Sequence, residues 1–106
     1  WHTEVTTPGC GHRVTQIFCS ALPVAYGGHD TELWEPFARL VLEAAYEAML
    51  CASLLNHEAT GNPEIFLTLL GGGAFGNPVE WITESRQRAL DCHRQAPLQL
   101  TLVTRP

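Results

Sequence analysis

A glycine-rich bend, residues 71–76, follows the apolar run 67–70 and leads directly into a predicted helix. Glycine accepts a positive φ and lets a ligand come close to the backbone. Asn77 suits the N-cap of that helix, Pro78 its first position, and Glu80 completes a capping box. Because a helix start offers unpaired N–H groups and a partial positive charge, the segment predicts a phosphate-binding site.

The predicted ligands of the phosphate are the backbone amides of the bend, together with the residue that caps the helix. These candidates are Gly71, Gly72, Gly73, Ala74, Phe75, Gly76 and Asn77. The alternative interpretation is a tight strand-to-helix turn that binds nothing. We favour ligand binding, because a simple turn does not need so many glycines beside a marked helix start.

A second loop follows an earlier apolar stretch and is expected to face the bend, since parallel strands place their exit loops at one edge of a sheet. Its candidate ligand-facing residues are Ser20, Ala21, Tyr26, Gly27, Gly28 and His29. His29 is the histidine best placed for acid–base chemistry on a ligand. We nevertheless assign no catalytic residue, and His12, His57 and His93 are expected on the surface.

Five elements are predicted to position these loops: a strand at 13–20, a helix at 33–55, a strand at 64–70, a helix at 78–94 and a strand at 98–104. This order requires crossover connections and therefore a mainly parallel sheet with helices on its faces. The predicted fold class is α/β, a three-layer α/β/α domain that spans residues 1–106. Residues 1–12 are expected to form an amino-terminal arm or an edge strand that pairs with the first strand.

The pattern of charges predicts how the helices are buried. In the first helix Glu35, Arg39, Glu43 and Glu47 form one narrow solvent stripe, and nearly everything else is apolar. Such a helix is expected to be covered on more than one side, by the domain or by an interface. Pro36 is expected near its first turn, where proline is tolerated.

Burial is also predicted for individual side chains. The strand at 64–70 is so apolar that we expect it to be covered on both faces. In the second helix the expected inner residues are Trp81, Ile82, Ser85, Ala89 and Cys92. Cys19 and Cys51 lie in apolar stretches and are expected to be small core residues.

The composition excludes several classes of function. The chain has 106 residues, a formal charge of -5 and no lysine, which argues against nucleic-acid binding by phosphate neutralisation. Charged residues interrupt the longest apolar region, so no membrane span is predicted. The cysteines form no CxxC pair, and we interpret them as reduced thiols of a cytoplasmic protein. A zinc site built from Cys10, His12, Cys92 and His93 matches no common ligand spacing and is not favoured.

Two segments together resemble a known family. Residues 68–78, Thr-Leu-Leu-Gly-Gly-Gly-Ala-Phe-Gly-Asn-Pro, resemble the second ligand loop of macro domains and the glycine-alanine-phenylalanine-glycine loop of the related poly(ADP-ribose) glycohydrolases. Residues 14–26 are similar to the preceding macro-domain strand and its exit loop. The resemblance extends over residues 13–104. It implies that the amides of residues 72–76 hold the diphosphate of ADP-ribose, with Phe75 packing near the ribose.

The departures from the family are informative as well. The sequence lacks the asparagine-rich first ligand loop, the acidic residue that reads adenine and the paired glutamates of the glycohydrolases. The resemblance also implies a missing strand between the equivalents of 13–20 and 64–70. Residues 1–12, a smaller sheet or a second copy of the chain would have to close that gap, and we predict a homodimer. Whether Trp1 is a natural terminus or the start of a fragment is left open.

Three functions follow from these observations. The first is binding of a phosphate-containing nucleotide such as ADP-ribose, with no cofactor. The second is a scaffold that lost the ligand site and works by self-association or partner binding. The third is hydrolysis of an ADP-ribosyl ester, although without the paired glutamates we lean towards a protein that is not an enzyme.

Overall fold

The computed structural model of this chain describes residues 1–105. Its strands and helices are β1 (Thr3–Glu4), β2 (Arg13–Val14), α1 (Thr31–Thr60), β3 (Glu64–Thr68), α2 (Val79–Cys92) and β4 (Gln99–Val103). Short 3-10 turns at Val24–Tyr26 and Gly73–Phe75 precede the two helices. The chain is therefore a mixed α/β protein. Its strands form two separate two-stranded sheets in place of the single sheet that was predicted.

The parallel part of the prediction is confirmed in β3 and β4. These strands pair in parallel over their full lengths, with Ile65 opposite Leu100 and Leu67 opposite Leu102. The helix α2 connects them, as the crossover between parallel strands requires. Both strands are shorter than predicted. The strand β3 ends early because residues 69–70 already belong to the turn that follows it.

Both helices lie against the same face of the β3–β4 sheet. Ile65 and Leu67 of β3 belong to one buried cluster with residues of α1 and α2. Phe66, between them, is 64% exposed. Because successive strand residues point to opposite faces, one face is covered and the other is open. The expectation of a strand covered on both faces is wrong for residues 1–105, which supply two layers.

The helix α1 is longer than predicted at both ends. It begins after Asp30 and runs to Thr60, five residues beyond the predicted end at Leu55. Gly61 ends it with a φ of 75°, which is the left-handed conformation that glycine adopts most easily. Pro36 is the sixth residue of α1 and lies beyond the first turn, so the expected position near the helix start is also wrong.

The charged stripe of α1 faces α2. Arg39 pairs with Glu84, and Arg88 pairs with Glu47 at 2.8 Å and Glu43 at 3.6 Å. The predicted solvent stripe is therefore a seam of partly exposed ion pairs between the helices. Since the contacts advance along both helices in the same direction, α1 and α2 run parallel.

The opposite side of α1 stays exposed in the described part of the chain. Leu33, Phe37, Leu40 and Leu55 are each more than half exposed. Together with Ala44 and Ala48 they are spaced three, four or seven residues apart, which places them on one face of the helix. The expected covering of this face is not supplied by residues 1–105.

The predicted strand at 13–20 is mostly wrong. Only Arg13 and Val14 form a strand, and they pair with Thr3 and Glu4 as the predicted hairpin. Residues 15–20 lie along α1 without a strand partner. The side chain of Thr15 donates to Asn56 Oδ1 at 2.7 Å, and Phe18 is 91% exposed.

The predicted inner face of α2 is confirmed for Trp81, Ile82, Ser85 and Ala89, which are all buried. It is wrong for Cys92, the last residue of α2, which is exposed. Neither helix in residues 1–105 combines the length and the hydropathy that a membrane-spanning segment needs.

Candidate functional site

The glycine loop, which we define as residues 71–77, adopts a backbone that depends on glycine. Gly71, Gly73 and Gly76 have φ values of 80°, 59° and 71°. Side chains with a Cβ rarely adopt this region. The sequence therefore specifies a turn of fixed shape between β3 and α2, and Gly73–Phe75 form its 3-10 turn.

Two of these glycines also allow a close packing of loops. A Cβ on Gly76 would lie 2.7 Å from the Cβ of Ala25, and a Cβ on Gly71 would overlap that of Ala21. Residues 20–29, which we call the second lip, thus lie directly against the glycine loop. The structure brings the two predicted loops together, and it gives Gly71 and Gly76 a packing role that needs no ligand.

Asn77 joins the two loops and does not cap the helix. It is 4% exposed, and its Nδ2 donates to the carbonyl oxygens of Leu22 at 2.8 Å and Gly71 at 2.9 Å. The N-cap of α2 is Pro78, which makes no side-chain capping bond. The predicted roles of Asn77 as N-cap, of Pro78 as first helical residue and of Glu80 in a capping box are therefore wrong. The buried Asn77 amide group links the two loops through its Nδ2, while its Oδ1 has no hydrogen-bond partner among the described residues.

Tyr46 of α1 is the residue that the sequence analysis missed as a support of the loop. Its hydroxyl donates to the carbonyl oxygen of Thr68 at 2.8 Å and accepts from the amide of Leu70 at 3.0 Å. Burial raises the pKa of Tyr46 above its ordinary value. Its position among the apolar residues of the helix gave no sign that its hydroxyl reaches the end of β3.

The glycine loop leaves backbone donors free. The amides of Gly76 and Asn77 donate to carbonyls within the loop, and the amide of Gly72 donates to the carbonyl of Leu69 just before it. Gly73 and Ala74 begin the 3-10 turn, so their amides have no partner inside it. No heavy atom outside the neighbouring residues lies within 4 Å of the position that a Cβ on Gly73 would occupy. A ligand with negatively charged oxygens has room to approach there.

Aromatic residues connect the two loops on the outside. The rings of Tyr26 and Phe75 pack edge to face with their centroids 6.3 Å apart. Tyr26 is 69% exposed, so one side of this pair is open to a ligand. A Cβ on Gly27 would overlap the Trp34 indole. The ring centroids of His29 and Trp34 lie 6.5 Å apart. Ser20 and Gly28 are exposed.

A cavity of about 480 Å³ lies away from the glycine loop, between β3 and residues 13–17. None of residues 71–77 lines it. Its floor is formed by Met49, Ala52 and Asn56 of α1. Thr15 contacts Asn56 and Cys19 contacts the Ala45 carbonyl, so this segment runs antiparallel to α1. The strand β3 starts just after the end of α1 and reaches Tyr46 at Thr68, so it runs in the same direction as that segment. The cavity therefore separates two parallel segments at the edge of β3 that β4 does not occupy.

No group of three or more His, Cys, Asp or Glu side chains within residues 1–105 is arranged to hold a metal ion. Cys10 and His12 lie in the amino-terminal arm, whereas Cys92 and His93 lie at the end of α2. The four cysteines are free thiols.

No protein-family model matches the sequence, and the comparisons with curated proteins and with solved structures also find no match.

Proposed function

We propose that this protein binds a phosphate-containing nucleotide, such as ADP-ribose, at the glycine loop. The observation that carries the proposal is the amides of Gly73 and Ala74, which have no partner inside the 3-10 turn, together with the open space at the Cβ position of Gly73. Backbone N–H groups at the start of a helical turn are favourable partners of phosphate oxygens. The exposed Tyr26 ring and Phe75 provide aromatic surface on which a ribose or a base packs.

The macro-like form of the fold belongs to this proposal. The outer face of the β3–β4 sheet exposes Phe66 and Val103, and a third layer would cover them. We also retain the cytoplasm as the proposed compartment, because a reducing environment maintains free thiols.

Binding is favoured over catalysis by the surroundings of the loop. Among residues 1–105, no hydrogen bond joins the glycine loop to a carboxylate or an imidazole that would act as a general acid or base. The ester-hydrolase alternative would rely on a water positioned by the backbone alone.

Calorimetric titration of ADP-ribose, AMP and inorganic phosphate tests the proposal with a matched pair of variants. Gly73→Asn and Gly73→Asp have nearly the same shape, and both side chains tolerate the left-handed conformation better than others. We expect ADP-ribose to bind the wild type and Gly73→Asn. We expect Gly73→Asp to bind at least about tenfold more weakly, because its carboxylate repels phosphate.

Two results would overturn nucleotide binding at this loop. Absence of heat with each of the three ligands ends the binding hypothesis for them. Equal affinities of Gly73→Asp and Gly73→Asn place the site elsewhere. Urea unfolding of both variants provides the control that each is folded.

The second candidate function is a self-associating scaffold, and the cavity beside β3 favours it. The open edge of β3 presents unpaired backbone groups, which form a template for an additional strand. Residues 15–18, on the other side of the cavity, expose Ile17 and Phe18. In this second proposal a strand from another copy of the chain fills the space. If light scattering at micromolar concentration gives the mass of a monomer, self-association is contradicted.

A further inference from the structure

Cys51 and His93 form a contact that neither proposed function uses. Cys51 lies on α1, and His93 directly follows the end of α2. The Cys51 Sγ lies 3.7 Å from the His93 Nε2, within the range of a hydrogen bond to sulfur. Cys51 was expected in the core but is exposed. A reagent in solution can therefore reach a thiol that already contacts an imidazole.

The tautomer of His93 is determined by its second ring nitrogen. Nδ1 lies 2.8 Å from the carbonyl oxygen of Ala89, and a carbonyl can only accept. Nδ1 therefore carries a hydrogen, and the neutral ring presents its lone pair at Nε2 to the Cys51 thiol. This is the geometry of a thiol beside an oriented general base.

Charged groups from both helices surround the pair. Glu47 lies one helical turn before Cys51, and Arg88 pairs with it at 2.8 Å. Arg88, with a smaller contribution from His93, holds the pKa of Glu47 below its usual range. From α2 and the residues after it, Asp91, Cys92 and Arg94 complete the nearby titratable groups, with Arg94 bonded to Asp91. Glu47 is thus a carboxylate within electrostatic reach of His93.

On its other side His93 borders a small apolar hollow. The hollow has a volume of about 170 Å³. Its walls are Leu50, Leu90, Arg94, Ala96, Leu98 and Leu100. The Ala89 bond orients the ring, with Nε2 directed at the thiol.

We propose that Cys51 is a thiol modification site, activated by His93, that reacts with low-molecular-weight disulfides to form a mixed disulfide. The Cys51 proton moves to His93 Nε2, and the resulting thiolate attacks one sulfur of the disulfide. A new S–S bond forms at Cys51 as the original S–S bond breaks. The departing thiolate takes the proton from His93, so one small thiol is released for each disulfide consumed.

Oxidised glutathione and the full chain are sufficient to test this site. Mass spectrometry of peptides follows mixed-disulfide formation at each cysteine over a range of pH. Cys92 is the internal control, because it is also exposed but makes no hydrogen bond to an imidazole within residues 1–105. At about pH 6 an ordinary thiol is less than ~1% ionised, so we expect Cys51 to react about tenfold faster than Cys92 there.

Two histidine variants separate activation from simple exposure. His93→Gln should reduce the Cys51 rate at pH 6 to that of Cys92, whereas His57→Gln, on the same helix as Cys51, should leave it unchanged. Equal rates of Cys51 and Cys92 in the wild type would overturn the proposal, and so would a Cys51 rate unaffected by His93→Gln. If His93→Gln fails to fold, the wild-type profile decides: a Cys51 rate that rises only near pH ~8.5, as for an ordinary thiol, contradicts activation.

Discussion

Tyr46 ties the exit of β3 to the middle of α1 with a single hydroxyl. The hydroxyl donates to Thr68 and accepts from Leu70, so it satisfies a carbonyl and an amide just before the glycine loop. Tyr46 is also fully buried. Removing a buried hydroxyl that both donates and accepts costs free energy, because it leaves a carbonyl and an amide without a partner.

We expect Tyr46→Phe to lower the free energy of unfolding by about 1–3 kcal/mol, because it leaves the Thr68 carbonyl and the Leu70 amide without their partner. Urea unfolding followed by circular dichroism measures the change. Tyr26→Phe, at an exposed tyrosine, is the matched control and should change stability little. An unchanged midpoint for Tyr46→Phe would show that water replaces the hydroxyl at no cost.

The same residue predicts a dependence of stability on alkaline pH. Burial raises the pKa of Tyr46, so the folded state favours the neutral phenol more than the unfolded state does. The contribution is complete below the unfolded value of about 10 and is lost as the pH rises through the folded value. We expect wild-type stability to fall above pH ~10 more steeply than that of Tyr46→Phe. Parallel curves for the two proteins would contradict this linkage.

Single residues also mark where reasoning from the sequence stops. Asn77 has the chemistry of an N-cap, and the following Pro78 suits a helix start, so local rules assign it to α2. Its amide instead reaches Leu22, 55 positions away in the chain. A local pattern carries no information on such a contact, because it exists only once the two loops are packed together. The closeness of the two loops was predicted from a parallel strand at 13–20, and the loops meet although that segment forms no strand after Val14.

At the scale of elements, the long periodic segments were predicted best. The helices α1 and α2 and the parallel strands β3 and β4 lie within a few residues of their predicted ranges, since each has an apolar face that must be buried. The strand at 13–20 was predicted from the same apolar signal. It fails after Val14, because a strand needs a partner for its backbone and the cavity occupies that position.

Pro36 tests how much a proline inside α1 costs the stability of the fold. It is the sixth residue of the helix and is exposed, so its ring has no packing role that would compensate for the amide it lacks. We expect Pro36→Ala to raise the free energy of unfolding by about 1–3 kcal/mol. Thermal and urea unfolding measure this gain.

A control proline separates the helical effect from a general effect of proline. Pro8 is exposed in a turn outside the helices, and Pro8→Ala should destabilise slightly by making the unfolded chain more flexible. Equal effects of the two substitutions would mean that α1 already bends around Pro36 without strain.

For the whole molecule, the main question is what covers so much apolar surface. The outer face of the sheet, the far side of α1 and the 15–18 segment all expose large apolar side chains. Contiguous surfaces of this kind mark interaction sites in stable proteins. The cavity beside the open edge of β3 distinguishes the 15–18 segment from the far side of α1, because unpaired backbone groups accompany the apolar side chains beside β3.

This distinction leads to a prediction on the oligomeric state. Phe18 is 91% exposed, so Phe18→Glu should alter the stability of a single chain by no more than about 0.5 kcal/mol. If a second copy docks along this segment, a buried charge there should raise the dissociation constant by about tenfold or more. Sedimentation or light scattering over a range of protein concentrations measures the shift.

Leu33→Glu supplies the matched control, since Leu33 is 72% exposed on the far side of α1. We expect this variant to associate like the wild type, because α1 offers apolar side chains without unpaired backbone groups. Dissociation caused by Leu33→Glu and not by Phe18→Glu would move the interface to α1. A wild type that remains a single chain at every concentration would instead mean that the cavity beside β3 stays open in solution, and that the exposed edge is protected by its short length alone.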